Sequence, residues 1–392
     1  MTAPPPPPSA PRHDGAPVIV AALRTPIGTT GRSLAEVDAA SLAAPVLAAL
    51  AAAVPDQPVT DVVLGNCMGP GGNVARVAAL AAGLPETVPA LTVDRQCGSG
   101  LAAITTAAAL VRDAPAGGTG LVLAGGTESA STAPWRFWPP ADGQDPTRYE
   151  RAPFAPLAQD DPDMGLAADL LAEERGVGRM RQDDYAAQSH ARAWATQQRG
   201  GFDAETVAVG DVVRDERPRS GMTSARLARL RATFRPDGTV SAGNACGVND
   251  GAAAVALVDA ETHARLGVPG LRILSTATAG VAPRRPGIGL VPAARAALDR
   301  AGVTLDDIDV VELNEAFAGQ VLACCDELGL DPGRVCPEGG ALALGHPWGA
   351  SGAVLVVRLF SQLVRADAGS LGLAAIAAGG GQGVAVVVRK SP

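Results

Sequence analysis

The chain repeats itself. Val18–Leu23 and Leu271–Thr276 are matching patterns for a buried strand, each followed by a helix pattern, Leu42–Ala53 in the first half and Pro292–Ala301 in the second. A strand comes next in both halves, Asp61–Leu64 and Asp309–Leu313, closed by a polar turn, Gly65-Asn66 or Asn314-Glu315. Each half then has a glycine-rich helix start, at Cys97 and around His346, and an apolar strand running into glycines, Leu121–Gly126 and Leu373–Gly380. Strand and helix patterns in alternation imply mostly parallel sheets covered by helices. Two such halves packed together bury one helix of each between their sheets. That accounts for the small residues in those helices, and it brings the start of the Cys97 helix near the loop bearing His346.

Composition narrows the class. The 392 residues are 47% hydrophobic but only 3% aromatic, so the core rests on Ala, Val and Leu, with 47 glycines allowing backbones to approach closely. A net charge of −8 argues against nucleic acid as a partner. Cys67, Cys97, Cys246, Cys324, Cys325 and Cys336 form no CxxC pair and no zinc spacing. The expectation is free thiols in a reducing compartment and no metal site. Residues 1–15, with the Pro4–Pro8 run, read as a disordered Pro-rich tail without the pattern of a signal peptide. Nowhere does the chain offer the roughly 20 consecutive apolar residues of a membrane span. A soluble, cytoplasmic protein with no membrane contact is expected. Between the halves, from about Gly117 to Asn249, the scarce aromatics Trp135, Phe137, Trp138, Tyr185 and Trp194 gather, and Asp183–Ala193 has the spacing of an amphipathic helix. That stretch reads as an insertion, the plain version being a surface segment with a small aromatic core of its own.

The chemistry centres on a thiol. Cys97 is followed by Gly98-Ser99-Gly100 and then by the Ala/Leu-rich run of a helix. The unpaired N–H groups and positive dipole end of a helix favour thiolate, the reactive form, and small neighbours let a substrate carbonyl come close. A buried inert cysteine is the alternative. The second half sets His346 in a glycine-dense loop, Gly339–Gly352, ahead of another apolar helix. Of the four histidines, His13 is in the tail, and His190 and His263 are expected on helix surfaces, which leaves His346 as the candidate base. Asn314-Glu315-Ala316-Phe317-Ala318 follows a strand, and Gly379-Gly380-Gly381-Gln382-Gly383 precedes the last one.

These four motifs, in this order and spacing from about Val18 to Val388, resemble the thiolase family. The resemblance implies a thiolase fold of α/β class, with duplicated βαβαβαββ halves in a five-layered α/β/α/β/α arrangement. Residues 16–116 plus 250–268 would form the N-terminal half, 117–249 an inserted loop domain covering the site, and 269–392 the C-terminal half. It implies a homodimer or homotetramer that uses coenzyme A thioesters as substrates, with no tightly bound cofactor. The expected activity is that of an acyl-CoA C-acyltransferase of the acetyl-CoA acetyltransferase or 3-ketoacyl-CoA thiolase type. Cys97 matches the family nucleophile and His346 the residue that takes its proton. Asn314 matches the asparagine that holds a water in a first oxyanion hole, and the N–H groups of Cys97 and Gly379 match the donors of a second. Arg219, Phe234, Ala242, Cys246, Ala316 and Phe317 fall on positions like those lining the CoA channel, and Met164-Gly165 resembles the family's pair near the acyl pocket.

The pattern breaks at Ala377, where the family carries a second cysteine that moves a proton on and off the α-carbon. A methyl group transfers no proton, and loss of a positioned base costs about 10²- to 10⁴-fold. Three accounts stand side by side. Another residue supplies the transfer, with Cys246 ahead of Glu338 and Cys336. Or the protein uses only the acyl-enzyme half-reaction, passing the acyl group to a non-carbon acceptor or to water. Or Ala377 is an introduced substitution. A non-catalytic partner protein is a further alternative. Trp348, where the family favours a small aliphatic, is expected to reshape the acyl pocket or to fill a gap between the halves.

Overall fold

The computed structural model describes residues 16–114, 120–140 and 143–392, so the expected tail over 1–15 lies outside them. The first half runs β1 (Val18–Arg24), β2 (Gly28–Thr29), α1 (Ala39–Ala53), β3 (Val59–Gly65), α2 (Val74–Ala81), β4 (Ala90–Val93), α3 (Ser99–Asp113) and β5 (Leu121–Ser129). After an insertion carrying β6 (Arg136–Trp138), β7 (Thr147–Tyr149), α4 (Met164–Glu174), α5 (Arg179–Gln198) and α6 (Ser224–Leu227), β8 (Asn249–Val258) and α7 (Ala260–Leu266) complete it. The second half runs β9 (Gly270–Gly280), α8 (Leu290–Ala301), β10 (Val310–Leu313), α9 (Ala318–Leu328), α10 (Ala341–Leu344), α11 (Trp348–Phe360), β11 (Leu371–Ala378) and β12 (Gln382–Ser391).

The duplication is visible in the strand order. The first sheet reads β3-β5-β8-β1 and the second β10-β11-β12-β9, with parallel pairing at the same step of each and antiparallel pairing at the others. The sheets are therefore mixed, where strand and helix alternation suggested mostly parallel ones. Connection length is the reason. Only the three residues Gly379, Gly380 and Gly381 separate β11 from β12, and so short a turn can join only antiparallel strands. Gly380 and Gly381 both sit at positive φ, +77° and +75°, which glycine adopts freely. The two sheets also touch edge to edge, through Val18 with Arg272 and Ile19 with Leu271.

Helices α1 and α2 cover the outer face of the first sheet, α8 that of the second, and α3 and α11 lie between the two. This is the five-layered thiolase fold. The middle layer explains the small residues. A Cβ on Gly100 would stand 2.7 Å from the Gly349 carbonyl oxygen, and one on Gly352 only 2.5 Å from the Leu101 nitrogen. The two helices thus meet backbone to backbone, and a methyl at either position would force them apart.

β5 pairs along its length with β3 and β8, so the insertion starts after Ser129 rather than at 117. Its aromatics are divided, with Tyr185 and Phe202 buried against the body of the protein. Trp135, Phe137 and Trp138 are exposed, with Trp138 stacked on Tyr149 at 4.5 Å. Buried ions also tie the insertion down. Arg24, at the end of β1, donates to Glu205 (2.7 Å) and Asp215 (2.7 Å), and Arg358 of α11 pairs with Glu205 and Glu338. Such a cluster costs desolvation but fixes which partners meet, because one charge left alone in the interior is strongly disfavoured. His190 and His263, expected on helix surfaces, are both buried. Helix α5 turns the His190 face against the body of the protein, and the His263 ring meets the Val268 carbonyl at 2.8 Å.

Candidate active site

Cys97 lies two residues ahead of α3, not on its first turn. Gln96 before it has φ +49°, an uncommon left-handed conformation for a side chain of this kind. The turn is held from several sides. Ser99 Oγ donates to the Gln96 carbonyl (2.6 Å) and accepts from Arg95 N–H (2.7 Å), and the Cys67 thiol donates to the same Gln96 carbonyl (3.0 Å). The strained corner aims Cys97 away from its helix and into a cavity between the halves.

That cavity has a volume of about 100 Å³. Cys97, His346, Asn314 and Gly379, drawn from both halves, all line it, as do Met164, Cys246, Ala316 and Phe317. Trp348, Ala377, Gln320, Pro286 and Gly287 complete much of the wall. Phe234, expected in the CoA channel, stays outside, packed edge-on to Phe317 with ring centres 6.2 Å apart. Arg219 and Ala242 are exposed and do not reach the cavity. Cys336 and Glu338 do not reach it either. The Cys336 thiol is buried and donates to the Leu313 carbonyl (3.2 Å), and Glu338 is paired with Arg199 and Arg358.

His346 is positioned by its backbone and by one ring nitrogen. Its N–H donates to Asn249 Oδ1 (2.9 Å), while Gly345 before it, at φ +116°, leaves no room for a Cβ, which would lie 2.6 Å from the Asn249 amide carbon. Nδ1 lies 2.6 Å from Ser351 Oγ, and that hydroxyl donates to the Pro347 carbonyl at 3.0 Å. With its only proton committed there, Ser351 accepts from Nδ1–H, which leaves the lone pair on Nε2. Nε2 is buried and has no protein partner, and neither does either amide atom of Asn314. Buried polar atoms are rarely left unpaired, so the two side chains mark where a ligand's polar atoms or a water belong. The Asn314 backbone is fixed by its own N–H to the Ala375 carbonyl at 3.0 Å.

The resting site is neutral. Burial lowers His346 to about 4. Burial also pushes the Cys97 thiol up to about 12, and the Glu128 carboxylate adds to the rise. The backbone N–H groups of Cys97 and Gly379, both directed at the sulfur, pull the other way without prevailing. The helix start alone favours thiolate, and here desolvation works against it and raises the thiol. The same two N–H groups, aimed at one point, are suited to an oxyanion.

Four supporting residues escaped sequence reasoning. Ser351 orients the imidazole and Asn249 the backbone before it. Glu128 accepts from the N–H groups of Cys67 (3.1 Å), Met68 (3.0 Å) and Gly349 (3.0 Å), which joins the first half to the start of α11. Glu315 accepts from Tyr185 Oη (2.8 Å), Ser189 Oγ (2.7 Å) and Leu342 N–H (3.2 Å), which locks α5 to the His346 loop. A serine in the first turn of the His346 helix was the one signal open to a reader of the sequence.

Comparison with known proteins places nearly the whole chain in one family. Residues 17–261 match the thiolase N-terminal domain and 268–390 the thiolase C-terminal domain. An acetyl-CoA acetyltransferase of Pseudomonas aeruginosa is 43% identical, over 95% of this chain and 99% of that protein. A β-ketoadipyl-CoA thiolase of the same organism is 43% identical, over 94% and 98%. The crystal structure of the Bacillus anthracis acetyl-CoA acetyltransferase superposes with a TM-score of 0.90 at 36% identity, covering 97% of this chain and 100% of that one.

Proposed function

The chain belongs to the thiolase family and is an acyl-CoA C-acyltransferase, and we propose that it carries the acyl group as a thioester on Cys97. As the sulfur attacks the acyl-CoA carbonyl, Nε2 of His346 takes the thiol proton and returns it to the departing CoA sulfur. The N–H groups of Cys97 and Gly379 hold the oxyanion of one tetrahedral intermediate, and the Asn314 amide, through a water, that of the other. Proton loss coupled to attack suits a thiol that burial keeps protonated. The observation that carries this reading is the meeting of Cys97, His346, Asn314 and Gly379 on one cavity, with Nε2 and the Asn314 amide unpartnered.

The substrate is a short acyl-CoA, acetyl-CoA first, because the cavity is small and Trp348 closes part of it. Met164, Cys246, Ala316 and Phe317 surround the reacting end of CoA, and Phe234, Ala242 and Arg219 lie along its route to the surface. CoA enters as a substrate, and the protein works as a cytoplasmic homodimer or homotetramer without a resident cofactor. Among the described residues no helix is long and apolar enough to cross a membrane. The test is mass spectrometry after mixing with acetyl-CoA, followed by acetoacetyl-CoA plus CoA. An acetyl adduct on Cys97, absent from Cys97→Ala, together with thiolysis of acetoacetyl-CoA is the expected result. Thiolysis without any adduct would overturn the acyl-enzyme route.

A further inference from the structure

Joining two acyl thioesters through carbon requires a base for the α-proton of the second one, and the base must sit in the same cavity as the acyl-enzyme. Few groups there titrate. Cys97 is occupied by the acyl group, and His346 is needed to return a proton to its sulfur. Asn314 and Gln320 cannot ionise, and Ala377 has nothing to give. What is left is Cys246.

We infer that the Cys246 thiol is the group that moves the α-proton, with the Arg217 guanidinium as its counter-charge. The inference rests on the acyl-enzyme reading above. Cys246 lines the cavity on the wall formed with Ala316, whose carbonyl accepts its backbone N–H at 2.9 Å, and Ala245 before it is bridged to Phe317. Cys246 therefore borders the same space as Asn314 and His346, whose side-chain atoms are left open for a ligand. Behind it, Arg217 packs so closely on Gly247 that a Cβ there would lie 2.4 Å from Nη1. Arg217 Nε is buried and has no hydrogen-bond partner. Electrostatics agree with this placement. Burial pushes the Cys246 thiol up to about 12, charge on Cys97 adds to the rise, and Arg217 opposes it. The two thiols thus cannot both ionise, and acylation of Cys97, which removes its titratable proton, leaves Cys246 as the one sulfur in the cavity able to do so.

The step balances. Cys246 yields its proton to Nε2 of His346, and its thiolate takes the α-proton of the incoming acyl-CoA. The electrons of that C–H bond form the new C–C bond to the acyl carbon on Cys97. The C–S bond of the acyl-enzyme breaks, Cys97 departs as thiolate, and His346 returns the proton to it. Every group ends as it began.

The test compares wild type, Cys246→Ser and Cys246→Ser/Ala377→Cys in three measurements: acetylation of Cys97, exchange of acetyl-CoA α-hydrogen with deuterated solvent, and condensation. In Cys246→Ser, exchange and condensation should fall about 100-fold or more, the loss expected for a positioned base. Acetylation, which also reports that the variant is folded, should fall by a much smaller factor. The double variant should recover condensation, because Ala377 lines the same cavity. Arg217→Gln should move the rising limb of the condensation pH profile to higher pH. Condensation by Cys246→Ser at close to the wild-type rate overturns the inference, as does an equal loss of acetylation and condensation. Wild type that condenses without acetylating Cys97 overturns the acyl-enzyme reading instead, and this inference with it.

Discussion

The His346 imidazole gives its Nδ1 proton to Ser351 Oγ at 2.6 Å, and so presents Nε2 to the cavity as a bare lone pair. The hydroxyl that accepts it is pinned in turn to the Pro347 carbonyl. Ser351→Ala removes that partner without touching the cavity wall. The ring is then free to turn and to take the other tautomer. The expected outcome is a fall in kcat for thiolysis of about 10- to 100-fold, the scale on which misplaced catalytic groups cost rate, with KM nearly unchanged. Steady-state kinetics with acetoacetyl-CoA check it, and an unchanged kcat would remove Ser351 from the mechanism.

The acidities of the reacting pair set its pH behaviour. With His346 at about 4 and Cys97 at about 12, neither group changes form near neutrality. Single-turnover acetylation of Cys97 should therefore give a level kcat/KM between about pH 5 and 9, since such profiles bend only at the essential groups' own values. A rise through pH 6 to 8 would mean that one of the two groups titrates near neutrality, against the values that burial sets.

Trp348 is part of the cavity wall, and the space left beside it is about 100 Å³. Trp348→Val should open the acyl pocket. Each methylene accommodated is worth about 1–3 kcal/mol, so kcat/KM for 3-ketohexanoyl-CoA relative to acetoacetyl-CoA should rise about tenfold or more. Competition between the two substrates measures the ratio directly. A ratio that stays put would mean that the acyl chain runs along another wall, toward Met164 or Pro286.

The legible parts of this protein were those written in local patterns. Strand stretches such as Val18–Leu23 and Leu373–Gly380 appear as apolar runs, the second ended by glycines, and the four motif-bearing segments carry Cys97, Asn314, His346 and Gly379 to one cavity. What stayed hidden depends on partners far away in sequence. Glu128 is bonded to Cys67, 61 residues away, and to Gly349, 221 residues away, and no local signal marks it. His190 and His263 were misread because a helix face is buried or exposed according to what docks on it. The acidity of the Cys97 thiol is hidden for a related reason. A helix start is visible in sequence, but the desolvation that overrides it is set by the second half closing over the first.

Glu312, on β10 beside the site, offers a separate check on burial. Its carboxyl accepts from Gln362 Nε2 at 2.6 Å, and burial raises it from its ordinary 4.5 to about 7, against the pull of Arg358. The sign follows from which state releases the proton first. In the unfolded chain the carboxyl ionises near 4.5, in the folded one near 7, so stability is lost as pH rises between those values and levels off above them. The interval corresponds to about 3 kcal/mol at most. Glu312→Gln, which resembles the protonated acid and cannot ionise, should match wild type in urea unfolding at pH 5 and exceed it at pH 8. A gap between the two proteins that does not widen over that range would mean that Glu312 is already ionised in the fold and that Arg358 outweighs its burial.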